Sequence, residues 1–293
     1  MNFAVDLGAP EGPVLMSDGS LLVVEMAPER GCVTRISADG ERRRVLARTG
    51  RPNGLAVDFN GDIWIAESQD PALLRMSPSG AVEVYATECG GVPFLFPNDL
   101  AFTPDGALYL TDSGILFEDF APGGTVRADW RDLTVDGRLY RVDIRSGAVD
   151  QVDGDLQFPN GIAVGTDRQL YVNETLTGMV YRYALADDRV GPREGFGNVV
   201  APSDDPAVRG PDGMKFAADG RLFVAVVGQG DVTVLDTDGE VARRIETAGT
   251  FPTNLAFGPP GSHLLYVTED QRGAVEVFNV GVDGAALYNG LRA

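Results

Sequence analysis

The chain has 293 residues, 44% of them hydrophobic, and 43 acidic side chains against 24 basic ones, a formal net charge of -19. Hydrophobic content on this scale is enough for a sizeable core. The acid excess excludes the basic footprint that nucleic acid or an anionic membrane surface requires, so neither is expected as a partner. Met1 to Pro10 has neither a basic start nor a long apolar run, and no later stretch reaches the roughly 20 apolar residues of a membrane span; a cytoplasmic location is expected.

Read in order, the chain opens with a short apolar segment, about Phe3 to Val5, and then reaches Pro10-Glu11-Gly12-Pro13 at the head of a strand. This proline-led element recurs as Pro52-Asn53-Gly54-Leu55, Pro97-Asn98-Asp99-Leu100, Pro159-Asn160-Gly161-Ile162, Pro211-Asp212-Gly213-Met214 and Pro252-Thr253-Asn254-Leu255. After each comes a turn: Asp18-Gly19, Asn60-Gly61, Asp105-Gly106, Thr166-Asp167, Asp219-Gly220 and Pro260-Gly261. Asp-Gly and Asn-Gly are strong hairpin signals. The second strands that follow read Leu21 to Glu25, Ile63 to Glu67, Leu108 to Asp112, Leu170 to Glu174, Leu222 to Val226 and Leu264 to Glu269. Later turns at Asp39-Gly40, Ser79-Gly80, Ser146-Gly147, Asp187-Asp188, Asp238-Gly239 and Asp283-Gly284 separate a third strand from a fourth. Six four-stranded meanders predict an all-β, six-bladed propeller, with the segment near Phe3 completing the last blade and closing the ring.

No composition break divides the blades, so residues 1–293 read as one domain. The motif spacing is uneven, and its long intervals place insertions at about 114–137, inside the third blade, and 189–210, between the fourth and fifth. Ile115, Leu116, Phe117, Phe120 and Trp130 make the first too apolar for a disordered loop, and a lid over the pocket is expected there.

Ring closure would bring Glu11, Asn53, Asn98, Asn160, Asp212 and Thr253 to one axis. Two readings of these residues stand side by side. Pro-Asn-Gly and Pro-Asp-Gly are turn formers wherever a blade changes direction; that reading accounts for Asn53 and would cover Asn160 and Asp212, but it leaves Glu11 unexplained. Alternatively, Glu11, Asn98, Asn160 and Asp212 form a set of two carboxylates and two amide oxygens, which balances a divalent charge and suits calcium, magnesium or manganese. Cys32 and Cys89 lack metal or disulfide spacing and read as free thiols. The one histidine, His263, lies outside the motif, and Lys215 is the one lysine; no Gly-x-Ser-x-Gly elbow is present. Strand pairing across the Asp105-Gly106 turn sets Asn98 opposite Asp112 and Ser113, so Ser68, Ser113 and Gln229 are candidate substrate contacts at the rim.

The combined set Pro10-Glu11-Gly12-Pro13, Pro97-Asn98-Asp99, Phe158-Pro159-Asn160-Gly161-Ile162-Ala163 and Gly210-Pro211-Asp212-Gly213-Met214 resembles the SMP-30/gluconolactonase/LRE-like family of six-bladed, metal-dependent lactonases, over essentially the whole chain. The resemblance implies that Glu11, Asn160 and Asp212 hold a divalent metal, that Asn98 is at the metal or on the substrate, and that Asp212 is the base. Sugar-acid lactonases of the family often carry arginine where this chain has Phe96. That departure favours a lactone with an apolar portion, or one lacking an acid group.

A metal-dependent lactonase is therefore expected. Calcium is the first choice of ion, with zinc, magnesium or manganese as alternatives; Asp212 is the base with Glu11 in reserve, and Asn53, Phe96, Asn98, Ser113 and Gln229 line the substrate. The partner expected is a small lactone, bound by a monomer or weak homo-oligomer. Phosphotriester hydrolysis at the same metal site and a non-catalytic ligand-binding propeller are the competing expectations.

Overall fold

The computed structural model describes residues 1–186 and 189–288. Six four-stranded antiparallel sheets follow one another along the chain and form a six-bladed β-propeller. The innermost strand of each blade begins at the repeated motif: Pro10–Leu15, Pro52–Val57, Pro97–Phe102, Pro159–Val164, Gly210–Phe216 and Pro252–Phe257. The last blade takes Asn2–Ala4 as its outermost strand, paired antiparallel with Ala274–Asn279. The ring is thus closed by joining the start of the chain to its final blade, which leaves no open sheet edge between the first and last blades.

The turn expected at Asp283-Gly284 does not lead to a fourth strand, because Asn2–Ala4 already fills that place. Gly284 instead forms an isolated bridge with Ala217 of the fifth blade. The turn expected at Asp187-Asp188 lies outside the described residues. Between blades, branched and aromatic side chains pack in layers; Trp64, Leu108 and Tyr140 are almost fully buried where blades two and three meet.

Every innermost strand breaks register within two residues of its proline. In the third blade Pro97 pairs with Asp112 but pairing resumes only at Leu100, opposite Leu110; the fourth repeats this at Pro159 and Ile162. Two residues face one across each break, a β-bulge, which swings the residues after the proline off the ladder. The bulges recur in the other four blades, in the first of them one step later, after Glu11, which still pairs with Val24.

In five of the six blades a buried acid at the end of the second strand holds the chain that enters the bulge. Asp112 accepts from the backbone N–H groups of Leu95, Phe96 and Gly114 at 2.8, 2.8 and 3.0 Å. Glu25, Glu67, Glu174 and Glu269 likewise accept from Gly8, Arg51, Gln157 and Phe251. The fifth blade has Val226 in this place, opposite Pro211.

Between Asp112 and Gly137 the chain makes three short helical turns, Phe117–Phe120, Pro122–Gly124 and Trp130–Asp132. Phe120, Ala121 and Val135 pack on Phe96 and Phe158, the residues that precede the third and fourth motifs. A small hairpin, Leu185–Ala186 with Arg189–Val190, precedes the outer strand Glu194–Asn198 of blade four. The segment after that strand meets the first insertion, where the Trp130 indole N–H donates to the Pro206 carbonyl at 3.1 Å.

Candidate metal and active site on the propeller axis

The four oxygen-bearing residues sit where the bulges place them. Glu11, Asn98 and Asn160 are 2%, 3% and 6% exposed, while Asp212 is partly exposed. The amide nitrogens of the two asparagines are tied outward: Asn98 Nδ2 donates to Ser113 Oγ at 2.9 Å, and Asn160 Nδ2 donates to Thr175 Oγ1 at 3.2 Å. Each hydroxyl passes its own proton to the motif proline of the following blade, Ser113 to the Pro159 carbonyl and Thr175 to that of Pro211. These links orient both amides and lock neighbouring blades together. Asn160 Oδ1 is left buried without a hydrogen-bond partner.

Glu11 is held from the sixth blade. Asn254 Nδ2 donates to Glu11 Oε1 at 2.7 Å, and Asn254 Oδ1 accepts from the Leu255 N–H. Glu11 Oε2 is buried and unpartnered. Burial pushes the Glu11 carboxyl well above its usual range, helped by the charges of Asp212 and Asp99 and opposed by the Asn254 bond and Lys215. The Asp212 carboxyl is raised in the same sense, by burial first and then by Asp99 and Asp270, against the Asn160 amide and Arg51. A positive charge among carboxylates crowded in this way favours their anionic forms.

Several residues of the site carry no local sequence signal. Asp99 and Asn254 occupy the step after the ring residue, where other blades have glycine. The glycines are required by close approach: a Cβ at Gly161 would overlap the Asp212 carbonyl, and one at Gly213 would overlap the Asn254 side chain. Asp99 has one oxygen without a hydrogen bond, 4.0 Å from Lys215 Nζ. Arg51, immediately before the second motif, stacks its guanidinium on Phe117.

The remaining sequence candidates fall as follows. Asn53 is buried. Thr253 donates its hydroxyl to the Pro10 carbonyl, another inter-blade tie. Ser113 is spent on orienting Asn98, and Ser68 on Arg51. The Gln229 amide is engaged by Ala201, Val199, Asp231 and Thr233, at the junction of blades four and five. Phe96 is buried between Phe117 and Phe158. His263 is an exposed turn residue, and Cys32 and Cys89 are free thiols. A groove of about 390 Å³ lies between Trp130 and the 198–209 segment; none of the ring residues lines it.

The donor set fits a hard cation. Two carboxylates and two amides occupy equivalent positions of the repeat, Glu11 Oε2 and Asn160 Oδ1 are buried without partners, and each amide nitrogen is engaged by a hydroxyl. Among the described residues no three His, Cys, Asp or Glu side chains form a group able to hold a metal, so the candidate centre is a mixed carboxylate–amide one.

The fold is a six-bladed propeller, and its repeated motif carries the candidate oxygen donors. The chain matches the family model described as SMP-30/Gluconolactonase/LRE-like region over residues 9–271, and it belongs to that family. It is 28% identical over 307 residues to diisopropyl-fluorophosphatase of Loligo vulgaris, covering 97% of this chain and 92% of the relative. It is 26% identical to the gluconolactonase of Zymomonas mobilis, covering 89% and 76%. Among solved structures, a gluconolactonase of Xanthomonas campestris superposes with a TM-score of 0.78 at 24% identity, over 97% of this chain and 89% of the other. The calcium-binding protein regucalcin of Agrobacterium tumefaciens gives 0.77 at 22% identity, over 97% and 94%. No helix among the described residues is long and apolar enough to cross a membrane.

Proposed function

We propose that this protein is a divalent-metal-dependent hydrolase that opens a lactone to its hydroxy acid, and that Glu11, Asn98, Asn160 and Asp212 hold the metal. The observation that carries the reading is that Glu11 Oε2 and Asn160 Oδ1, at equivalent positions of the repeat, are buried and unpartnered. All four donors are oxygens, which makes calcium the first choice. Once bound, such an ion supplies Lewis acidity toward the ester carbonyl.

The chain's own groups do the rest. Asp212, alone of the four in being partly exposed, takes the proton of the attacking water as the new C–O bond forms; it returns that proton to the ring oxygen when the ester C–O bond breaks. Burial and the Asp99 charge raise its basicity toward that task. Ser113 and Thr175 keep the two amides in register, and Asn254 does the same for Glu11, so the donors need not reorganise during turnover. Phe117, half-buried with Phe96 packed behind it, offers an apolar surface that suits the carbon skeleton of a substrate.

Phosphotriester hydrolysis at the same centre is the second reading, favoured by the similarity to a diisopropyl-fluorophosphatase over nearly the whole chain. Proton release at constant pH, measured for five- and six-membered lactones and for one fluorophosphate, separates the two. Opening of lactones that is lost on chelation and restored by calcium is expected. Turnover of the fluorophosphate alone would favour the second reading, and hydrolysis unaffected by verified metal removal would overturn the metal-dependent scheme.

A further inference from the structure

Arg51 is a cation beside the site without a carboxylate partner. Its backbone is clamped on both sides: the N–H donates to Glu67 Oε1 at 2.6 Å, and the carbonyl accepts from Ser68 N and Oγ at 3.1 and 2.9 Å. One side-chain nitrogen, Nη1, donates to Ser68 Oγ at 3.0 Å. The guanidinium carbon lies 3.7 Å from the centre of the Phe117 ring and 5.4 Å from that of Phe96. No ion pair within 4.0 Å involves it among the described residues, although Asp270, Glu67, Glu11 and Asp212 all act on it electrostatically at longer range. Burial lowers its pKa to about 10, so it is charged at neutral pH.

A guanidinium has five N–H donors in a rigid fork, and Ser68 uses one nitrogen. The aromatic faces fix the plane by cation–π stacking and Ser68 fixes one edge, which leaves the other edge for an acceptor. A largely desolvated cation kept unpaired is costly, and a planar carboxylate offers the geometry that matches the fork. Position strengthens the argument: Phe96 stands two residues before Asn98, and Phe117 belongs to the insertion that packs over the motif entrances. A cation is thus delivered beside the third blade's motif from the second blade.

We propose that Arg51 is the specificity-determining residue of the site, pairing with a carboxylate that the substrate carries in addition to its lactone ester, so that the preferred substrates are carboxylate-bearing lactones. This reverses the expectation, drawn from Phe96, of a lactone without an acid group: the phenyl ring is the platform on which the arginine is held. The inference rests on the lactone-hydrolase reading and names the substrate class for it.

The test compares a five-membered lactone bearing a ring carboxylate with its carboxamide, using wild type, Arg51→Gln and Arg51→Lys with calcium present. In wild type kcat/KM favours the carboxylate. In Arg51→Gln the carboxylate-to-carboxamide ratio falls at least about thirty-fold, most of it in KM, the size expected for losing a charge-assisted bidentate contact. Arg51→Lys keeps the charge without the fork and recovers part of the ratio. Using the ratio cancels any loss both substrates share through folding or metal occupancy. A ratio unchanged in Arg51→Gln overturns the proposal, as does a wild type that prefers the carboxamide. Calorimetric titration with tetrahydrofuran-2-carboxylate, which cannot be hydrolysed, keeps the two levels apart. Should wild type open neither lactone, the hydrolase reading fails, while tenfold or greater weakening of this ligand in Arg51→Gln still upholds the anion site and equal affinity overturns it.

Discussion

Glu11, Asp99 and Asp212 act on one another across the axis, and the charge of that group fixes how single residues should respond. Asp212→Asn keeps an oxygen for the metal but removes the proton acceptor. With calcium occupancy held equal, turnover should fall by about two to four orders of magnitude, the range for losing general-base help. Single-turnover hydrolysis at saturating calcium checks this, and near wild-type turnover would leave Asp212 as a ligand only. The pH response has a definite sign. The folded-state pKa values of Glu11 and Asp212 are raised above their ordinary 4.5 and 3.8. Their contribution to stability is therefore fully present below about pH 4 and is lost as pH rises through the folded values. In metal-free protein this loss works against folding at neutral pH, while bound calcium favours the ionised pair and must displace protons. Melting curves with and without calcium should show a calcium-induced rise in Tm that grows from pH 5 to pH 8 and shrinks in Glu11→Gln. A rise independent of pH would contradict the assignment.

At the scale of the strand and turn, the bulge after each motif proline determines what reaches the axis. Gly213 sits where a side chain would overlap Asn254. Gly213→Ala should destabilise by roughly 1–3 kcal/mol through overpacking and also weaken calcium binding, because Asn254 orients Glu11. Urea unfolding and a calcium titration on the same variant check both effects, and loss of stability with unchanged affinity would detach Asn254 from the site. The strands were legible in the sequence because their signals are local: Asp-Gly and Asn-Gly turns and short β-branched runs. The ring residues were legible because the proline repeats. Asn254, Asp99 and Arg51 were not, since each acts on a residue of another blade; Asn254 and Glu11 are 243 positions apart. Repeat alignment set Thr253 among the ring residues and strand pairing made Ser113 a rim candidate, whereas their hydroxyls are used to tie blades together. The acids Glu25, Glu67, Asp112, Glu174 and Glu269 could be read as strand ends, but nothing in their spacing announced that they hold the chain entering each bulge.

For the molecule as a whole, the axis exists only while the ring is closed. Closure depends on Asn2–Ala4 pairing with Ala274–Asn279, with Phe3 packed edge-on against Tyr266 at 4.8 Å. Deleting residues 1–6 should cost about 3 kcal/mol from lost apolar burial and pairing and lower Tm by roughly 5 °C. It should also expose the edge of the last blade and promote self-association, visible as a concentration-dependent mass in light scattering. A truncated chain that melts with wild type and stays at one mass would show that the other blade interfaces suffice. The acidic surface carries a net charge of -19, so an anionic substrate gains nothing from the molecule's overall field and must rely on local cations such as Arg51.

The central claim is that Glu11, Asn98, Asn160 and Asp212 bind one divalent cation on the propeller axis. Equilibrium calcium titration of metal-free protein, followed by calorimetry in two buffers of different ionisation enthalpy, tests it most directly. The expected result is one ion per chain, bound with net proton release, with affinity reduced at least a hundredfold in Glu11→Gln and Asp212→Asn. Absence of stoichiometric binding by calcium, magnesium, manganese or zinc, or binding that both substitutions leave intact, would contradict it.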